Sequence, residues 1–328
     1  MASQTVTPSK ARLIEVDGNP IPEGARVNYA ETPDGMRLRY SFWNSEKRPT
    51  LGTVIILQGR AEYIEKYFET VTELRQRGFA VLCFDWRGQG GSERLIGDGS
   101  KGHVDHFDQY LTDLDTILTD VALPDCPAPF YLLAHSTGGL IALLAAPALG
   151  NRIRRMVLIS PLLSLRGLPI SQNWVQRIGG ILSFLGFGRT SVGWGGRSAE
   201  SRSFIGNNLT SDTKRFARNT AMLAKQGESA VSSPTVNWIF AACRAMDRIN
   251  EPGYAGKIHI PTLLVAAGND PVVAPQAVEK FGDKMRSGSF LTIFGSKHEI
   301  LQERKAYREQ FLSAFDAFIP GTDDDLKN

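Results

Sequence analysis

Cysteine is scarce in this sequence of 328 residues. The three cysteines are odd in number and irregularly spaced, so they predict neither a disulfide framework nor a zinc site. Long apolar runs are also missing: no window approaches the ~18 apolar residues that a membrane-spanning helix needs. The first residues lack the apolar core of a secretory signal, so the expected location is the cytoplasm. The cysteines are Cys83, Cys126 and Cys243.

Neither sign of charge dominates the sequence. The net charge is +3, and no dense basic block is present, which argues against a nucleic-acid partner. Metal-ligand spacing and a dinucleotide fingerprint are both missing, and the glycine-rich stretch "DWRGQGGS" lacks the lysine of a phosphate loop. The sequence therefore predicts no metal and no cofactor.

Short apolar runs alternate with helical spacing along most of the chain. The runs "VIIL", "AVLCF", "FYLLA", "MVLI" and "TLLVAAG" have the continuous apolar character of strands that are buried on both faces. Near the start, two alternating runs flank a turn at residues 33–35, which predicts an antiparallel hairpin. This order of elements predicts an α/β fold, a mostly parallel sheet with helices on both faces.

One interval breaks this alternation. Roughly a hundred residues separate the strand ending at Ser160 from the strand starting at Thr262. A loop of that length without structure is uncommon inside a compact domain. Amphipathic segments such as "TKRFARNTAMLAKQ" instead predict an inserted helical cap. The predicted organisation is a core built from residues 1–164 and 249–328, with a cap at 165–248.

The stretch "YLLAHSTGGLIALLAA" puts Ser136 at a sharp break between a strand and a helix. The residues two before and two after it, Ala134 and Gly138, are both small. This is the pattern of a nucleophile elbow, G-x-S-x-G, with alanine in place of the first glycine. In such a turn a strained backbone projects the hydroxyl into the crevice at the carboxyl ends of the strands. Ser136 is the predicted nucleophile.

A serine nucleophile needs a general base and an acid that orients the base. In this fold the acid comes first along the chain and the histidine second, each in a loop after a strand. "LLVAAGNDPVV" puts Asp270 after the next-to-last strand, and "FLTIFGSKHEI" puts His298 after the last one. Glu299 is an alternative partner for His298, but a direct sequence neighbour rarely points at the same ring nitrogen. The predicted triad is Ser136, Asp270 and His298.

Two backbone N–H groups are needed to stabilise an oxyanion. The residue after the nucleophile, Thr137, supplies one of them. The loop "LQGRAEY" supplies the other, since Gly59 lets the chain turn close to the site and Arg60 offers its N–H. Other polar residues near these motifs are expected to be structural: Glu62, Asp85, Arg87, His103 and His135.

The motifs "QGRAEYIEKYFE", "FDWRGQGGS", "KGHVDHFDQY", "LLAHSTGG", "NWIFAACRAMDRI", "AAGNDPVV" and "SKHEIL" occur in this order over most of the chain. As a set they resemble the lysophospholipase and monoacylglycerol lipase group of α/β-hydrolases, closest to the bacterial L2-type lysophospholipases. The resemblance implies that Ser136, Asp270 and His298 match the triad and that Arg60 and Thr137 match the oxyanion donors. Threonine stands at 137 where the group commonly has methionine, and the loop around Asp270 is compact.

The resemblance implies a small-molecule substrate, an ester of a single-chain acyl lipid such as a lysophospholipid, cleaved through an acyl-enzyme. The cap contributes large apolar residues, among which Phe184 and Trp238 are the predicted acyl-binding side chains. The amphipathic segment "WVQRIGGILSFLGFG" predicts transient contact with a membrane surface, at the inner face for a cytoplasmic protein.

Other functions remain open at this point. A monoacylglycerol lipase or a general carboxylesterase has the same triad. A proline-specific aminopeptidase shares the scaffold and the triad as well, and an acidic pair in the cap would favour it. The intact triad argues against a non-catalytic binding module. The acidic residues of the cap are scattered rather than paired: Glu200, Asp212, Glu228 and Asp247.

Overall fold

The strands of the protein come from its short apolar runs. The structure, a computed structural model, describes residues 10–166, 171–193, 203–227 and 230–319. The strands are β1 (Arg26–Glu31), β2 (Arg37–Trp43), β3 (Thr53–Leu57), β4 (Ala80–Phe84), β5 (Phe130–His135), β6 (Arg155–Ile159), β7 (Thr262–Ala267) and β8 (Gly288–Ile293). They form one eight-stranded sheet in the order β1-β2-β4-β3-β5-β6-β7-β8. The β1–β2 and β2–β4 pairs are antiparallel and the other pairs are parallel.

Helices cover both faces of this sheet. The helices are α1 (Phe68–Arg77), α2 (Asp108–Thr116), α3 (Leu123–Asp125), α4 (Thr137–Leu149), α5 (Gln172–Leu182), α6 (Thr213–Gln226), α7 (Val236–Asn250), α8 (Pro275–Gly282) and α9 (Lys305–Phe318). Within the described ranges, none is both long enough and apolar enough to cross a membrane.

The two faces of the sheet build two separate apolar cores. Alternate residues of β3 point to opposite faces, so Ile55 belongs to the core that includes residues of α2, α4, α7 and α8, whereas Ile56 belongs to the core that includes residues of α1 and α9. Every residue of β3, β4, β5 and β7 is buried. Burial on both faces explains why these strands are continuously apolar rather than alternating, and the predicted α/β fold is confirmed.

The predicted hairpin joins β1 to β2. Ala30 lies opposite Leu38 in the antiparallel register, and Gly35 takes the left-handed conformation of the turn at φ 81°. The β2 strand then pairs with β4, which attaches the hairpin to one edge of the parallel sheet.

The interval between β6 and β7 contains α5, α6 and α7. The apolar face of α7 joins the same core as α4, and the hydroxyl of Tyr254, just beyond α7, donates to the carbonyl oxygens of Leu143 and Leu144 in α4. Helix α7 is thus embedded in the core, and the division at 165–248 remains a prediction. Glu200 and Glu228 lie outside the described residues.

Candidate active site

Ser136 lies in a strained turn between β5 and α4. Its backbone has φ 50° and ψ −112°, a combination that residues with a side chain rarely adopt. The N–H of Ser136 donates to the carbonyl oxygen of Ile159 in β6 at 3.0 Å. A Cβ at position 138 would lie 2.3 Å from the carbonyl oxygen of Leu57, so only glycine fits there. Contacts from β3 and β6 therefore hold the serine above the carboxyl ends of the strands.

His298 connects Ser136 to Asp270. Its Nε2 atom lies 3.0 Å from Oγ of Ser136, and its Nδ1 atom lies 2.7 Å from Oδ2 of Asp270. Oδ1 of the same carboxylate accepts the N–H groups of Val272 and Val273 at 2.8 and 3.0 Å. All three predicted triad residues are buried. The structure thus brings together side chains from the loops after β5, β7 and β8.

The charge of Asp270 is stabilised where it lies. Burial alone would raise the pKa of Asp270, but the hydrogen bond and charge of His298 and the two backbone donors hold that pKa below its usual value. A carboxylate that faces Nδ1 selects the tautomer whose Nε2 accepts a proton from the serine. The arrangement can therefore activate Ser136 as a nucleophile.

Glu299, the alternative partner of His298, faces elsewhere. Its Oε1 atom lies 2.7 Å from Nζ of Lys66, and Lys66 also contacts Glu62 at 2.7 Å. The side chain of Glu62 additionally accepts the hydroxyl of Tyr67 at 2.6 Å. Burial would raise the pKa of Glu62, but the charges of Lys66 and His135 hold it well below its usual value. These residues form a buried cluster beside the triad.

His135 connects this buried cluster to His298, the predicted general base. Its Nδ1 atom lies 3.1 Å from Oε2 of Glu62, and its Nε2 atom lies 3.3 Å from the carbonyl oxygen of His298. Both ring nitrogens therefore face acceptors, which suits a doubly protonated imidazolium. Burial alone would lower the pKa of His135, but the charge and hydrogen bond of Glu62 raise it. The ring points away from Ser136, as the sequence predicts, and has a structural role.

The loop after β3 carries the predicted oxyanion donor Arg60. The N–H of Gly59 donates to Oε2 of Glu62 at 2.5 Å, and the N–H of Ala61 donates to Oε1 of Gln89 at 2.8 Å. The second predicted donor, Thr137, is the first residue of α4, where N–H groups point out of the helix end.

The sequence did not predict that Gln89 and Glu62 bind the backbone of the residues on both sides of Arg60. The available signal was the glycine-rich stretch after β4, a strand that pairs directly with β3. Other polar residues predicted to be structural form buried ion pairs or hydrogen bonds with one another or with other side chains. These include Asp85 with Arg39, Arg87 with Asp113, and His103 with Thr235.

The two predicted acyl-binding side chains have opposite environments. Trp238 is buried against Phe107, and its Nε1 donates to the hydroxyl of Tyr110 at 3.2 Å. The guanidinium of Arg60 lies 5.7 Å from the Trp238 ring. Phe184 is 90% exposed. The structure therefore places Trp238 beside the loop that carries Arg60, and it leaves Phe184 in solvent.

Within the described residues, no group of three or more histidine, cysteine, aspartate or glutamate side chains is arranged to hold a metal ion. The groups that the described residues bring together at this site are the hydroxyl of Ser136, the imidazole of His298 and the carboxylate of Asp270.

Comparison with known proteins matches residues 48–305 to the Hydrolase_4 family, described as serine aminopeptidase, S33. The probable lysophospholipase L2 of Haemophilus influenzae is 28% identical over 294 residues, which cover 89% of this chain and 91% of that protein. The lysophospholipase L2 of Escherichia coli K12 is 31% identical over 284 residues, which cover 81% of this chain and 79% of that protein.

Solved structures share the fold. A soluble variant of monoglyceride lipase from Saccharomyces cerevisiae, in complex with a substrate analog, superposes with a TM-score of 0.72 at 21% identity. The superposition covers 90% of this chain and 96% of that chain. This likeness confirms the fold. The family match over most of the sequence and the likeness to the lysophospholipase L2 of Escherichia coli confirm the resemblance inferred from the motifs: the chain belongs to the Hydrolase_4 family of α/β-hydrolases.

Proposed function

We propose that this protein hydrolyses carboxylic esters of single-chain acyl lipids, with Ser136 as nucleophile, His298 as general base and Asp270 as the residue that orients the base. The observation that carries the proposal is the continuous contact from Asp270 Oδ2 to His298 Nδ1 at 2.7 Å and from His298 Nε2 to Ser136 Oγ at 3.0 Å. Those are the distances that general-base activation of a serine requires.

The proposed reaction proceeds in two halves. In the first, Ser136 Oγ attacks the ester carbonyl carbon while its proton passes to Nε2 of His298, and the carbonyl oxygen becomes an oxyanion. The N–H groups of Arg60 and Thr137 stabilise that oxyanion. When the tetrahedral intermediate collapses, the C–O bond to the alcohol breaks and His298 returns the proton to the departing alkoxide. In the second half, water repeats the sequence on the acyl-enzyme and releases the fatty acid.

A lysophospholipid is the proposed substrate, and a monoacylglycerol is the nearest alternative. Support comes from the relatives, which are described as lysophospholipase L2, and from the described apolar side chains of residues 165–248 that share one buried cluster with Trp238. Each methylene buried in an apolar pocket contributes ~0.8 kcal/mol, so an acyl chain longer by about four carbons gains about a hundredfold in kcat/KM. We expect Trp238→Ala to flatten this dependence on chain length while a short acetate ester is still cleaved.

Transient binding to a membrane surface is the second part of the proposal. Helix α5 and the turn after it expose large apolar side chains to solvent, and the segment from Gln172 to Thr190 carries two arginines and no acidic residue. Apolar side chains next to basic ones suit an anionic lipid surface. The exposed side chains are Trp174, Ile178, Ile181, Phe184, Leu185 and Phe187.

Vesicle sedimentation tests this surface. Phe184→Ala should reduce binding to phosphatidylglycerol vesicles and slow hydrolysis of a lipid embedded in them, with no effect on a soluble acetate ester. Phe294, which is 81% exposed after β8, provides a matched control as Phe294→Ala. Equal binding by wild type and Phe184→Ala would remove Phe184 from the proposed surface.

An aminopeptidase activity is the second candidate, because the family carries that description. Such an enzyme needs acidic groups in the cap to hold the substrate amine. Of the described acids there, Asp212 caps α6 and pairs with Arg215, and the carboxylate of Asp247 faces Gln172. Asp212 and Asp247 therefore do not form the acidic pair that would hold a substrate amine, and this favours an ester substrate over an amide.

A substrate panel separates the candidates. Lysophosphatidylcholine, monoacylglycerols, p-nitrophenyl esters of increasing chain length and aminoacyl-prolyl amides should be compared at equal enzyme concentration. We expect hydrolysis of the lipid esters and a preference for longer acyl chains. Cleavage of the amides at a higher kcat/KM than every ester would instead assign the aminopeptidase function.

A further inference from the structure

We infer that Gln89 is a positioning residue for the oxyanion hole, and that its carboxamide directs the N–H of Arg60 at the reacting oxygen. The inference rests on the proposed ester hydrolysis at Ser136. Gln89 lies on the loop after β4, is buried, and forms two hydrogen bonds to the loop that carries Arg60.

The carboxamide of Gln89 binds the residues on both sides of Arg60. Its Nε2 donates to the carbonyl oxygen of Gly59 at 3.1 Å, and its Oε1 accepts the N–H of Ala61 at 2.8 Å. A carboxamide is well suited to this double contact because it offers a donor and an acceptor side by side. The same loop has a strained backbone at Ala61, where φ is 58°, and the bond to the Ala61 N–H stabilises that conformation.

Because the peptide unit is planar, these contacts fix the direction of the Arg60 N–H. In a trans peptide the C=O of Gly59 and the N–H of Arg60 belong to one plane and point in opposite directions. When Nε2 of Gln89 holds the carbonyl oxygen on one side, the Arg60 N–H must point to the other. Glu62 fixes the preceding peptide through the Gly59 N–H. Without the Gln89 donor, the carbonyl oxygen of Gly59 loses the side-chain hydrogen bond that fixes the orientation of the Gly59–Arg60 peptide.

Gln89 itself is held in place by its own loop. Its N–H donates to the carbonyl oxygen of Trp86 at 3.1 Å, and Nε1 of Trp86 donates to the carbonyl oxygen of Gln58 at 2.9 Å. The loop is anchored further by the N–H of Gly91, which donates to Oδ2 of Asp85 at 2.8 Å. A side chain supported in this way can fix its partner within the narrow tolerance that an oxyanion hole needs.

Two variants at position 89 test the inference. Gln89→Met keeps the side-chain length and loses both bonds, whereas Gln89→Glu keeps an acceptor for Ala61 and loses the donor to Gly59. Removing a whole oxyanion donor costs ~10²–10³ in kcat. A misdirected donor should cost less, so we expect kcat to fall about 10- to 100-fold in both variants with KM nearly unchanged.

A transition-state analogue distinguishes positioning from general damage to the fold. A trifluoromethyl ketone that carries the acyl chain forms an oxyanion with Ser136, whereas a primary alcohol of the same chain length has no carbonyl or carboxylate oxygen to place in the oxyanion hole. Affinity for the ketone should fall by the same factor as kcat, and affinity for the alcohol should stay the same. Gln109→Met is the control, since Oε1 of Gln109 also accepts loop N–H groups, those of Asp105 and His106, away from the triad. Gln109→Met should change neither kcat nor the affinity for the ketone.

The wild-type protein supplies a test that needs no folded variant. After reaction with a fluorophosphonate, the amide proton resonance of Arg60 should move downfield because it now hydrogen-bonds a phosphonyl oxygen. An unmoved resonance, or Gln89 variants with unchanged kcat, would overturn the inference. If the wild type neither reacts with the fluorophosphonate nor cleaves any ester, the proposed function fails instead, and the two failures are distinguishable.

Discussion

Oδ2 of Asp270 accepts a hydrogen bond from Nδ1 of His298 at 2.7 Å, and this single contact decides which ring nitrogen faces the serine. We predict that Asp270→Asn lowers kcat/KM by ~10⁴, because an amide can donate to Nδ1 and thereby select the wrong tautomer. Asp283→Asn, which changes an acid at the end of α8, should leave the rate unchanged. Measurement with a p-nitrophenyl ester suffices, and retention of most activity in Asp270→Asn would remove this residue from the triad.

The strain at Ser136 predicts a difference between two variants that both lack the nucleophile. Ser136→Ala and Ser136→Gly should each abolish labelling by a fluorophosphonate. Glycine adopts φ 50° and ψ −112° without a side-chain clash, so Ser136→Gly should be more stable than Ser136→Ala. We expect its free energy of unfolding in urea to be higher by about 1 kcal/mol. The reverse order would mean that the turn is not strained.

Glu69 connects α1 to α6 and α9 through three arginines. It accepts from Arg215 at 2.5 Å and Arg218 at 2.8 Å, and Arg308 lies 3.7 Å away. Burial alone would raise the pKa of Glu69, but these contacts lower it to about 2. A depressed acid pKa stabilises the fold above pH ~4.5, and that contribution is lost as the pH falls toward 2.

Glu69→Gln should therefore destabilise the protein at pH 7 by about 2–3 kcal/mol, after allowing for partial exposure of the carboxylate. Urea unfolding at pH 7 and pH 3 measures the free energy of unfolding. The difference in this free energy between wild type and Glu69→Gln should be smaller at pH 3. Glu309→Gln removes an exposed contact to Lys305 and is the control, for which no change is expected at either pH. A gap that is independent of pH would contradict the ion-pair explanation.

Two buried histidines should respond to pH in opposite directions. The pKa of His135 is raised, so its contribution to stability is present below its unfolded value of ~6.5 and disappears as the pH rises through the folded value. The pKa of His103 is lowered, chiefly by burial, so protonation favours unfolding as the pH falls below ~6.5.

The stability gap between wild type and His135→Gln should be largest at pH 6 and should narrow toward alkaline pH. For His103→Gln the gap should narrow toward acidic pH. Urea unfolding between about pH 5.5 and 9 tests both variants. If the stability difference from wild type depended on pH in the same way for both variants, His135 would not be held as an imidazolium.

The fold and the predicted positions of Ser136 and Asp270 are accessible from the sequence for one physical reason. A strand buried on both faces is continuously apolar, so its end is easy to recognise, and Ser136 and Asp270 follow two such strands, β5 and β7. His298 follows β8, an edge strand that is buried only at Ile293, and its position rests on the order of the triad along the chain. Parallel strands all end at the same edge of the sheet, and this geometry explains why residues far apart in sequence meet.

The residues that support the site were not accessible in the same way. Gln89 reaches Gly59 because β4 pairs with β3, and the role of His135 depends on contacts with Glu62 and the carbonyl of His298. Such contacts depend on the direction of individual side chains, which spacing along the sequence does not encode. The sequence likewise identifies the apolar side chains of α5. Whether those side chains face the core or the solvent depends on how α5 packs against α7, which the sequence does not show.

The space at Gly138 has a consequence for laboratory evolution of this protein. A Cβ there would meet a backbone carbonyl oxygen at 2.3 Å, and a backbone atom, unlike a side chain, has no rotamer by which to withdraw. In a library randomised over the turn at Ser136, every active clone should therefore carry glycine at position 138. Clones with any other residue at position 138 should be inactive. The solvent-facing codons of α5 carry no such restriction, so randomisation there offers many viable clones from which altered lipid preference can be selected.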